Sequence, residues 1–312
     1  MDQFALNAIK AWNTRQRPDY QLIKVTQVNP SIGAEIDGVD LSQPLSAAQF
    51  AEINTALNEH HVIYFREQKL SDEDHKRFAR MFGKLHSHPG HAAKAKAIAM
   101  GDEAGIAAAK LYGMGDDPEI LQIKADETSK NVAGEGWHTD VTCDLEPPMG
   151  SMLYISEVPG GGGGATMFMN MHLAYESLSP TMQQFLEGLT AIHNGGKPYT
   201  GNYGVPVPPG GWPEAEHPVV VRHPGSGRKM LFVNYGFTVR IPQLAPHESE
   251  ALLNMLYLHC ATMQELHCRV QWSPNMLTMW DNRCTQHHAV WDYFPGRRYG
   301  QRVSIIGARP AA

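Results

Sequence analysis

The sequence is poor in cysteine, in long apolar runs and in clustered basic residues, and each shortage excludes a class of protein. Four cysteines in 312 residues form no Cys-x-x-Cys pair, which argues against a disulfide framework. We expect reduced core cysteines, with a metal-bound thiolate at Cys143 or Cys284 as the minor alternative. The 26 Lys and Arg residues are scattered, so we expect no nucleic-acid partner.

No apolar stretch reaches the length that spans a bilayer, and the first residues lack a basic segment followed by an apolar one. We therefore expect a cytoplasmic protein with no membrane contact. The length and the 42% apolar content suffice for one sizeable core. We predict an N-terminal extension over residues 1–20 and a single domain over residues 21–312.

Short β-rich runs dominate the chain after about Thr142, and helical patterns flank them. The runs SMLYI, PVVVRH, KMLFVN, LHCRVQW, MLTMW and QRVSII are separated by Gly, Pro and Asn, as strands are. HVIYF is typical of a buried strand, and PGSGRK of a hairpin turn. Helices are predicted after Ser46 and Ser71 and within AYESLSPTMQQFLEGL and ESEALLNMLYLHC. The predicted fold is mainly β with flanking helices, in a jelly-roll sandwich.

Two segments have no clear periodicity. Residues 195–213 are dense in Gly and Pro and longer than an ordinary connection, so the segment is either a lid or disordered, and a lid is favoured. The Ala-rich stretch from Ala92 to Ala109 fits either a helix or a mobile loop, and the sequence leaves both open.

The segment GWHTDVTC places His138 and Asp140 two residues apart. On an extended strand both side chains would project from one face. The pair alone is weak evidence for a metal site, because a chain with 16 histidines can contain it by accident.

The later segment WDNRCTQHHAVWDYFPGRRYGQR strengthens the case. Its histidine pair is followed by arginines at 297, 298 and 302. Two histidines and one carboxylate leave three coordination positions open, which suits non-haem Fe(II) oxygen chemistry. A dicarboxylate co-substrate on such an iron needs a bidentate cation for its distal carboxylate, and arginine supplies one.

Together the two segments resemble the taurine dioxygenase-like (TauD/TfdA) family of Fe(II)/2-oxoglutarate-dependent dioxygenases, from about Pro30 to Pro310. The resemblance implies a double-stranded β-helix core with Fe(II) bound by His138, Asp140 and His287, the residues that also act in catalysis. It further implies that 2-oxoglutarate is the co-substrate, held by Arg298 and by Thr166 in GGATMF.

Two neighbours of these residues receive other roles. His288 would point to the opposite face of a strand and is expected to be structural or to support the ligands. Arg297 is expected to be a solvated surface charge.

The substrate end is implied by the same resemblance. His88 in LHSHPG and Arg302, four residues beyond Arg298, match the family residues that hold an anion such as a sulfonate. The chain departs from the taurine enzymes at Gly134 and His91, where they carry asparagine and tyrosine, so the pocket has room for a larger or less polar tail. Two aromatic residues, Phe237 and Tyr199, match or lie near positions that pack on the substrate; core or lid packing is an equal alternative.

We therefore predict an oxidoreductase that uses O2 and 2-oxoglutarate to hydroxylate a small anionic organic substrate. A sulfonate such as taurine or a related alkylsulfonate fits best, with sulfite and an aldehyde as products. The alternatives are an alkylsulfatase or aryloxyalkanoate dioxygenase of the same family, a zinc hydrolase, and a non-catalytic metal- or anion-binding jelly-roll protein. We expect a homo-oligomer, a dimer or a tetramer.

Overall fold

A computed structural model describes residues 1–111, 113–202, 204–205, 207–208 and 210–312, and the side chains of all of these except residues 89, 93, 104, 108 and 111. The strands are β1 (Lys24–Gln27), β2 (Ala34–Asp37), β3 (Val62–Phe65), β4 (Leu85–His86), β5 (Leu121–Ala125), β6 (Gly150–Glu157), β7 (Thr166–Asn170), β8 (Thr190–Asn194), β9 (Glu214–Pro218), β10 (Val220–Arg222), β11 (Lys229–Leu231), β12 (Thr238–Arg240), β13 (His267–Val270), β14 (Met276–Asp281), β15 (Thr285–Ala289) and β16 (Arg298–Ile305). The α-helices are α1 (Gln3–Thr14), α2 (Ala47–His60), α3 (Asp72–Arg80), α4 (Pro89–Met100), α5 (Glu103–Leu111), α6 (Met171–Glu176), α7 (Pro180–Leu186) and α8 (Pro246–Thr262).

The largest sheet has eight strands in the order β1-β2-β3-β14-β6-β16-β4, with β5 also paired to β16. Its strands pair antiparallel except β2 with β3. A three-stranded sheet, β13-β7-β15, lies against one face of it, because side chains of both sheets share one core cluster. Two smaller sheets, β12-β8-β9 and β10-β11, complete the strand pairing. The sheets form the centre of the protein, and the helices flank them.

The central strands are buried on both faces, which explains their continuous apolar sequences. In β6, Leu153 and Ile155 face the three-stranded sheet, whereas Met152 and Tyr154 pack toward α2 and α3. Successive side chains of a strand alternate between its faces. A strand covered on both sides therefore needs apolar residues at every position, as in SMLYI.

The helix predictions are confirmed after Ser46 and Ser71, each of which forms a capping box with the residue three positions later. The predicted AYESLSPTMQQFLEGL helix is two helices, α6 and α7. Ser179 caps the second one and Pro180 begins it, and a proline there cannot continue the first. The stretch Ala92–Ala109, left open by its sequence, lies in α4 and α5, which Gly101 separates at φ 66°.

Other predictions have mixed outcomes. The PGSGRK hairpin is confirmed, since β10 and β11 pair with Arg222 opposite Lys229. All four cysteines are free and buried, as expected.

The prediction of an extended strand through His138 and Asp140 was wrong. His138 makes an isolated bridge, and Asp140 begins a turn in which Val141 has φ 53°. The backbone therefore turns at Asp140, the residue whose carboxylate is a predicted metal ligand.

The segment 195–213 contains a π-helical turn over Lys197–Asn202. Residues 203, 206 and 209 of this segment lie outside the described part of the chain, so the lid stays a prediction. No helix in the described residues combines the length and apolar character needed to cross a membrane.

Gly300 should be sensitive to the addition of one methyl group. A Cβ there would lie 2.5 Å from the carbonyl oxygen of Tyr154 and from a methyl of Ile155. Gly300→Ala should therefore push β16 away from β6 and lower the free energy of unfolding by roughly 1–3 kcal/mol in urea denaturation. Gly160→Ala, where a Cβ meets nothing within 4 Å, should change it by less than about 0.5 kcal/mol. Equal effects of both substitutions would contradict this packing argument.

Candidate metal centre

Three side chains that are distant along the chain meet between the two main sheets. The donor atoms of His138, Asp140 and His287 all lie within 4.8 Å of one another. The Nε2 atoms of His138 and His287 are 3.7 and 3.9 Å from Asp140 Oδ1, and the three side chains are only 13%, 8% and 4% exposed for His138, His287 and Asp140. The structure thus brings the three predicted metal ligands together.

Backbone pairing sets the two imidazoles side by side. His138 and His287 exchange both backbone hydrogen bonds, at 3.0 and 2.8 Å, in an isolated antiparallel bridge. Their ring centroids are consequently 4.1 Å apart. On β15, His287 is paired with Phe168 of β7, and the rings of Phe168 and Trp280 pack around it.

Asn282, which the sequence analysis did not single out, holds the turn that carries Asp140. Its Oδ1 accepts from the Asp140 amide at 2.9 Å, and its Nδ2 donates to the carbonyls of Asp140 and Pro148. The only sequence signal for this role was an amide side chain inside the WDNR motif. Asn282 follows β14 directly, so the turn of Asp140 is anchored to the large sheet.

Hydrogen bonds fix the orientation of His138. Its Nδ1 donates to the carbonyl of Gly136 at 2.9 Å, which leaves the Nε2 lone pair directed at the site. His288 lies on the other side of β15, where its Nδ1 accepts from the Gly136 amide at 2.7 Å and its ring packs on Trp137. His288 therefore supports the loop that precedes His138.

The charges at this site suit a divalent cation. Burial lowers the pKa of His138 and His287, so both rings are neutral at pH 7 and offer lone pairs. Burial alone would raise the pKa of Asp140, but the charge of Arg302, together with the hydrogen bond from Ser151, outweighs it and holds the pKa well below its usual range. Two neutral imidazoles and one ionised carboxylate on one side of a site are the donor set of a non-haem iron centre.

Arg302 contacts this carboxylate directly. Its Nη1 donates to Asp140 Oδ1 at 2.6 Å, while Ser151 Oγ donates to Oδ2 at 3.0 Å. The Nε of Arg302 is buried and has no hydrogen-bond partner in the described structure. Arg302 also lines a small cavity together with His88. Arg302 therefore contacts Asp140 on one side and the cavity on the other, and its Nε–H group is unused.

Arg298 is a buried cation with unused hydrogen-bonding capacity. It is 5% exposed, and its Nε and Nη2 have no partner among the described residues. Its guanidinium lies 5.4 Å from the ring centroid of Trp272, whose Nε1 donates to Thr166 Oγ1 at 3.0 Å. Thr166 and Phe168 share one face of β7, and Phe168 packs on His287. Because unpaired buried cations are costly, Arg298 fits an anionic ligand.

His88 contacts a cluster of three aromatic rings through Tyr199. Tyr199 packs edge-on against His88 at 5.8 Å and against Phe237 at 6.0 Å, and Trp212 packs on Tyr199 at 4.8 Å. The Nδ1 of His88 accepts from the Gly90 amide, so in the neutral ring Nε2 carries the proton. Burial, with a smaller effect of Arg302, lowers the pKa of His88 to about 3. His88 is therefore a neutral hydrogen-bond donor.

The two positions that depart from the taurine enzymes lie in different surroundings. A Cβ at Gly134, whose φ is 87°, would lie 3.3 Å from Cε1 of His138. The expected room at this glycine is therefore small, because a Cβ would already be in tight contact with a predicted metal ligand. Burial lowers the pKa of His91, whose ring is hydrogen-bonded to the backbone of Ile120. His91 thus faces the segment before β5.

Comparison with known proteins places this geometry in a family. Residues 24–304 match the family model described as taurine catabolism dioxygenase TauD, TfdA family. The chain is 32% identical to an alpha-ketoglutarate-dependent sulfonate dioxygenase of Saccharomyces cerevisiae, over 92% of this chain and 68% of the relative. It is also 32% identical to an alkylsulfatase of Acinetobacter baylyi, over 94% of this chain and 87% of the relative.

A solved structure has the same overall architecture. The crystal structure of a taurine dioxygenase from Burkholderia xenovorans superimposes with a TM-score of 0.75 and is 34% identical in sequence. The match covers 93% of this chain and 91% of the crystallised chain. Such coverage includes both of the main sheets and the segments that carry the candidate ligands.

Asn282→Ala should weaken metal binding although Asn282 is not itself a ligand. Loss of its three hydrogen bonds frees the turn of Asp140, so we expect a roughly 10- to 100-fold weaker affinity for Mn(II), measured by calorimetry. Asn254→Ala, at an exposed position of α8, is the matched control and should bind as the wild type does. A folded Asn282→Ala protein with wild-type affinity would show that the turn needs no support.

Proposed function

The chain belongs to the TauD, TfdA family of taurine catabolism dioxygenases, and we propose that His138, Asp140 and His287 hold its Fe(II). Proteins of this family are alpha-ketoglutarate-dependent oxidoreductases, so Fe(II) and 2-oxoglutarate are the cofactor and co-substrate. The observation that carries the ligand assignment is the convergence of two neutral imidazoles and one ionised carboxylate within 4.8 Å. Zinc hydrolysis would leave the buried Arg298 without a role.

We further propose that Arg298 and Thr166 bind 2-oxoglutarate. The unpartnered Nε and Nη2 of Arg298 suit the distal carboxylate of a dicarboxylate, because a guanidinium binds a carboxylate with two parallel hydrogen bonds. Thr166 lies near the metal ligands on β7, and Trp272 connects it to Arg298. In this proposal the co-substrate lies between the metal ligands and Arg298.

The family's double-stranded β-helix is the architecture we propose for the two facing sheets. The pairing of β13-β7-β15 against the large sheet, with one shared core, supports it. We propose one catalytic domain over residues 21–312, with residues 1–20 as an extension and residues 195–213 as a lid-like insertion. The homo-oligomer and the cytoplasmic location stay predictions.

In the reaction, bound iron and 2-oxoglutarate supply the oxidising power: O2 converts 2-oxoglutarate to succinate and CO2, and the substrate gains a hydroxyl group. The side chains of the protein bind, orient and exclude water. Arg302 and His88 hold the anionic group of the substrate beside Asp140. Tyr199 and Phe237 cover the remainder of the substrate with aromatic surface.

The substrate that fits these groups best is a small sulfonate. Arg302 offers an unused Nε–H and His88 a neutral Nε2–H, which suit the several oxygens of a sulfonate. The carbon next to that group would be the part of the substrate closest to the metal, and hydroxylation there gives a product that loses sulfite and leaves an aldehyde. A sulfate ester or an aryloxy acid presents similar oxygens, so the organic tail is decided by the aromatic residues.

Anaerobic addition of Fe(II) and 2-oxoglutarate should produce a weak visible charge-transfer band. His138→Ala removes one metal ligand and should abolish the band. The control His247→Ala, at an exposed position in the first turn of α8, should retain it. No band in well-folded wild-type protein would favour a zinc hydrolase or a non-catalytic protein instead.

Succinate release across sulfonates, sulfate esters and aryloxy acids should be largest with a sulfonate. For that substrate, at saturating Fe(II), Arg302→Ala should raise KM roughly 10- to 100-fold, because a hydrogen bond to a charged group is lost. His88→Ala, which removes a neutral donor, should raise KM about three- to tenfold.

Arg297→Ala is the matched control for these variants, because Arg297 is 61% exposed and pairs with Glu157. Its KM should equal that of the wild type. An unchanged KM in Arg302→Ala would refute the assignment of Arg302 to the anion, while leaving the iron ligands unaffected.

A further inference from the structure

A second group of metal-type ligands lies in the core, separate from the iron ligands. The donor atoms of His61, His172 and Cys284 are all within 4.8 Å of one another. His61 is 2% exposed, and His172 and Cys284 are fully buried. Imidazole nitrogen and thiolate sulfur are both zinc ligands.

The three residues come from different parts of the fold. His61 follows α2 with φ 63° and precedes β3, and His172 is the second residue of α6. Cys284 lies in the turn between β14 and β15, three residues before His287. A group bound by all three would cross-link two helix ends to the turn that leads into the strand of an iron ligand.

The imidazole of His172 presents a free lone pair to this group. Its Nδ1 lies 2.9 Å from the carbonyl of Lys229, to which it can only donate. In the neutral ring, Nε2 is then unprotonated, and it is buried without a hydrogen-bond partner in the described structure. This is the arrangement in which metal-binding histidines are held, with one nitrogen bonded to a carbonyl and the other on the metal.

His61 is unsatisfied at both ring nitrogens, which are buried and have no partner among the described residues. Burial lowers the pKa of His61 well below its ordinary value, so the ring is neutral. A buried polar atom without a hydrogen bond costs roughly 1–3 kcal/mol. Two adjacent imidazoles with unused nitrogens, 5.2 Å apart between ring centroids, therefore indicate an occupant between them.

The neighbouring His223, in the same core, has hydrogen-bond partners at both ring nitrogens. Its Nδ1 accepts from the amides of Gly225 and Ser226, so its Nε2 carries the proton and donates to Asp281 Oδ2 at 2.8 Å. Asp281 is also paired with Arg283. Although Asp281 and Cys284 also lie near His223, that histidine has no lone pair left for a cation.

The surroundings of His61 and His172 close the site to solvent. The indole of Trp12, from α1, lies 5.5 Å from the ring of His61. The guanidinium of Arg228 covers that indole at 4.0 Å and is paired with Glu176. An enclosed site without an open face is the form of a structural metal site and leaves no room for a substrate.

We propose that His61, His172 and Cys284 bind a zinc ion that supports the fold. Zinc bonds are about 2.0–2.3 Å long, so the three donor atoms would move slightly closer together when zinc binds. The thiol proton of Cys284 leaves as the metal binds. The carboxylate of Asp281 supplies a nearby negative charge, since one of its oxygens lies within 4.8 Å of Sγ of Cys284. The competing occupant is a buried water molecule that bridges the two imidazoles.

Cobalt distinguishes the two occupants. The full chain is produced in minimal medium containing Co(II), and its absorption is recorded in the near ultraviolet, where a thiolate bound to cobalt gives a charge-transfer band. The iron ligands include no sulfur, so a cobalt ion there gives no such band. We expect the band in the wild type and in His138→Ala, and its loss in Cys284→Ser and His172→Gln. The matched control Cys260→Ser, a buried cysteine outside this group, should retain the band.

Metal analysis of protein produced with zinc provides the second measurement. We expect zinc bound in the wild type after iron is removed, its loss in Cys284→Ser, and a lower Tm when it is absent. Folded wild-type protein with neither the thiolate band nor bound zinc would overturn the proposal and favour the water, whatever the variants do. A band and zinc content in Cys284→Ser equal to those of the wild type would overturn it as well.

Discussion

The backbone bridge between His138 and His287 is the contact on which the metal centre depends. Each residue donates its amide to the carbonyl of the other, so the two imidazoles cannot separate without breaking two buried hydrogen bonds. Asp140 then reaches the pair through a turn held by Asn282. The centre therefore combines the strand β15, which pairs with His138, with a turn at Asp140 that is held by Asn282, the residue after β14.

An ion pair links the predicted metal ligand Asp140 to a residue of the proposed substrate pocket. Arg302 bonds to Asp140 at 2.6 Å, and the same side chain lines the cavity of His88. The positive charge keeps the carboxylate ionised, as a metal ligand must be, and it also favours an anion next to the metal. In the proposed site, a single arginine on β16 thus serves both the coordination chemistry and the choice of substrate.

Relatives at similar identity act on chemically different compounds. The names of three of them specify a sulfonate dioxygenase, an alkylsulfatase and a 2,4-dichlorophenoxyacetate dioxygenase, at 32%, 32% and 31% identity. Each of these names specifies an organic compound with an anionic group. In the proposed pocket, Tyr199 and Phe237 are the residues that would contact this tail.

The sequence by itself determined the apolar central strands, the capped helices after Ser46 and Ser71, and the family, because these depend on local patterns and short motifs. It did not determine the turn at Asp140, the support from Asn282 or the pairing of Arg302 with Asp140, and it gave no sign that His61, His172 and Cys284 meet in the core. Only the tertiary structure decided these, since each is a contact between residues far apart in the chain. Such contacts depend on how distant elements pack together, which leaves no periodic pattern in the sequence.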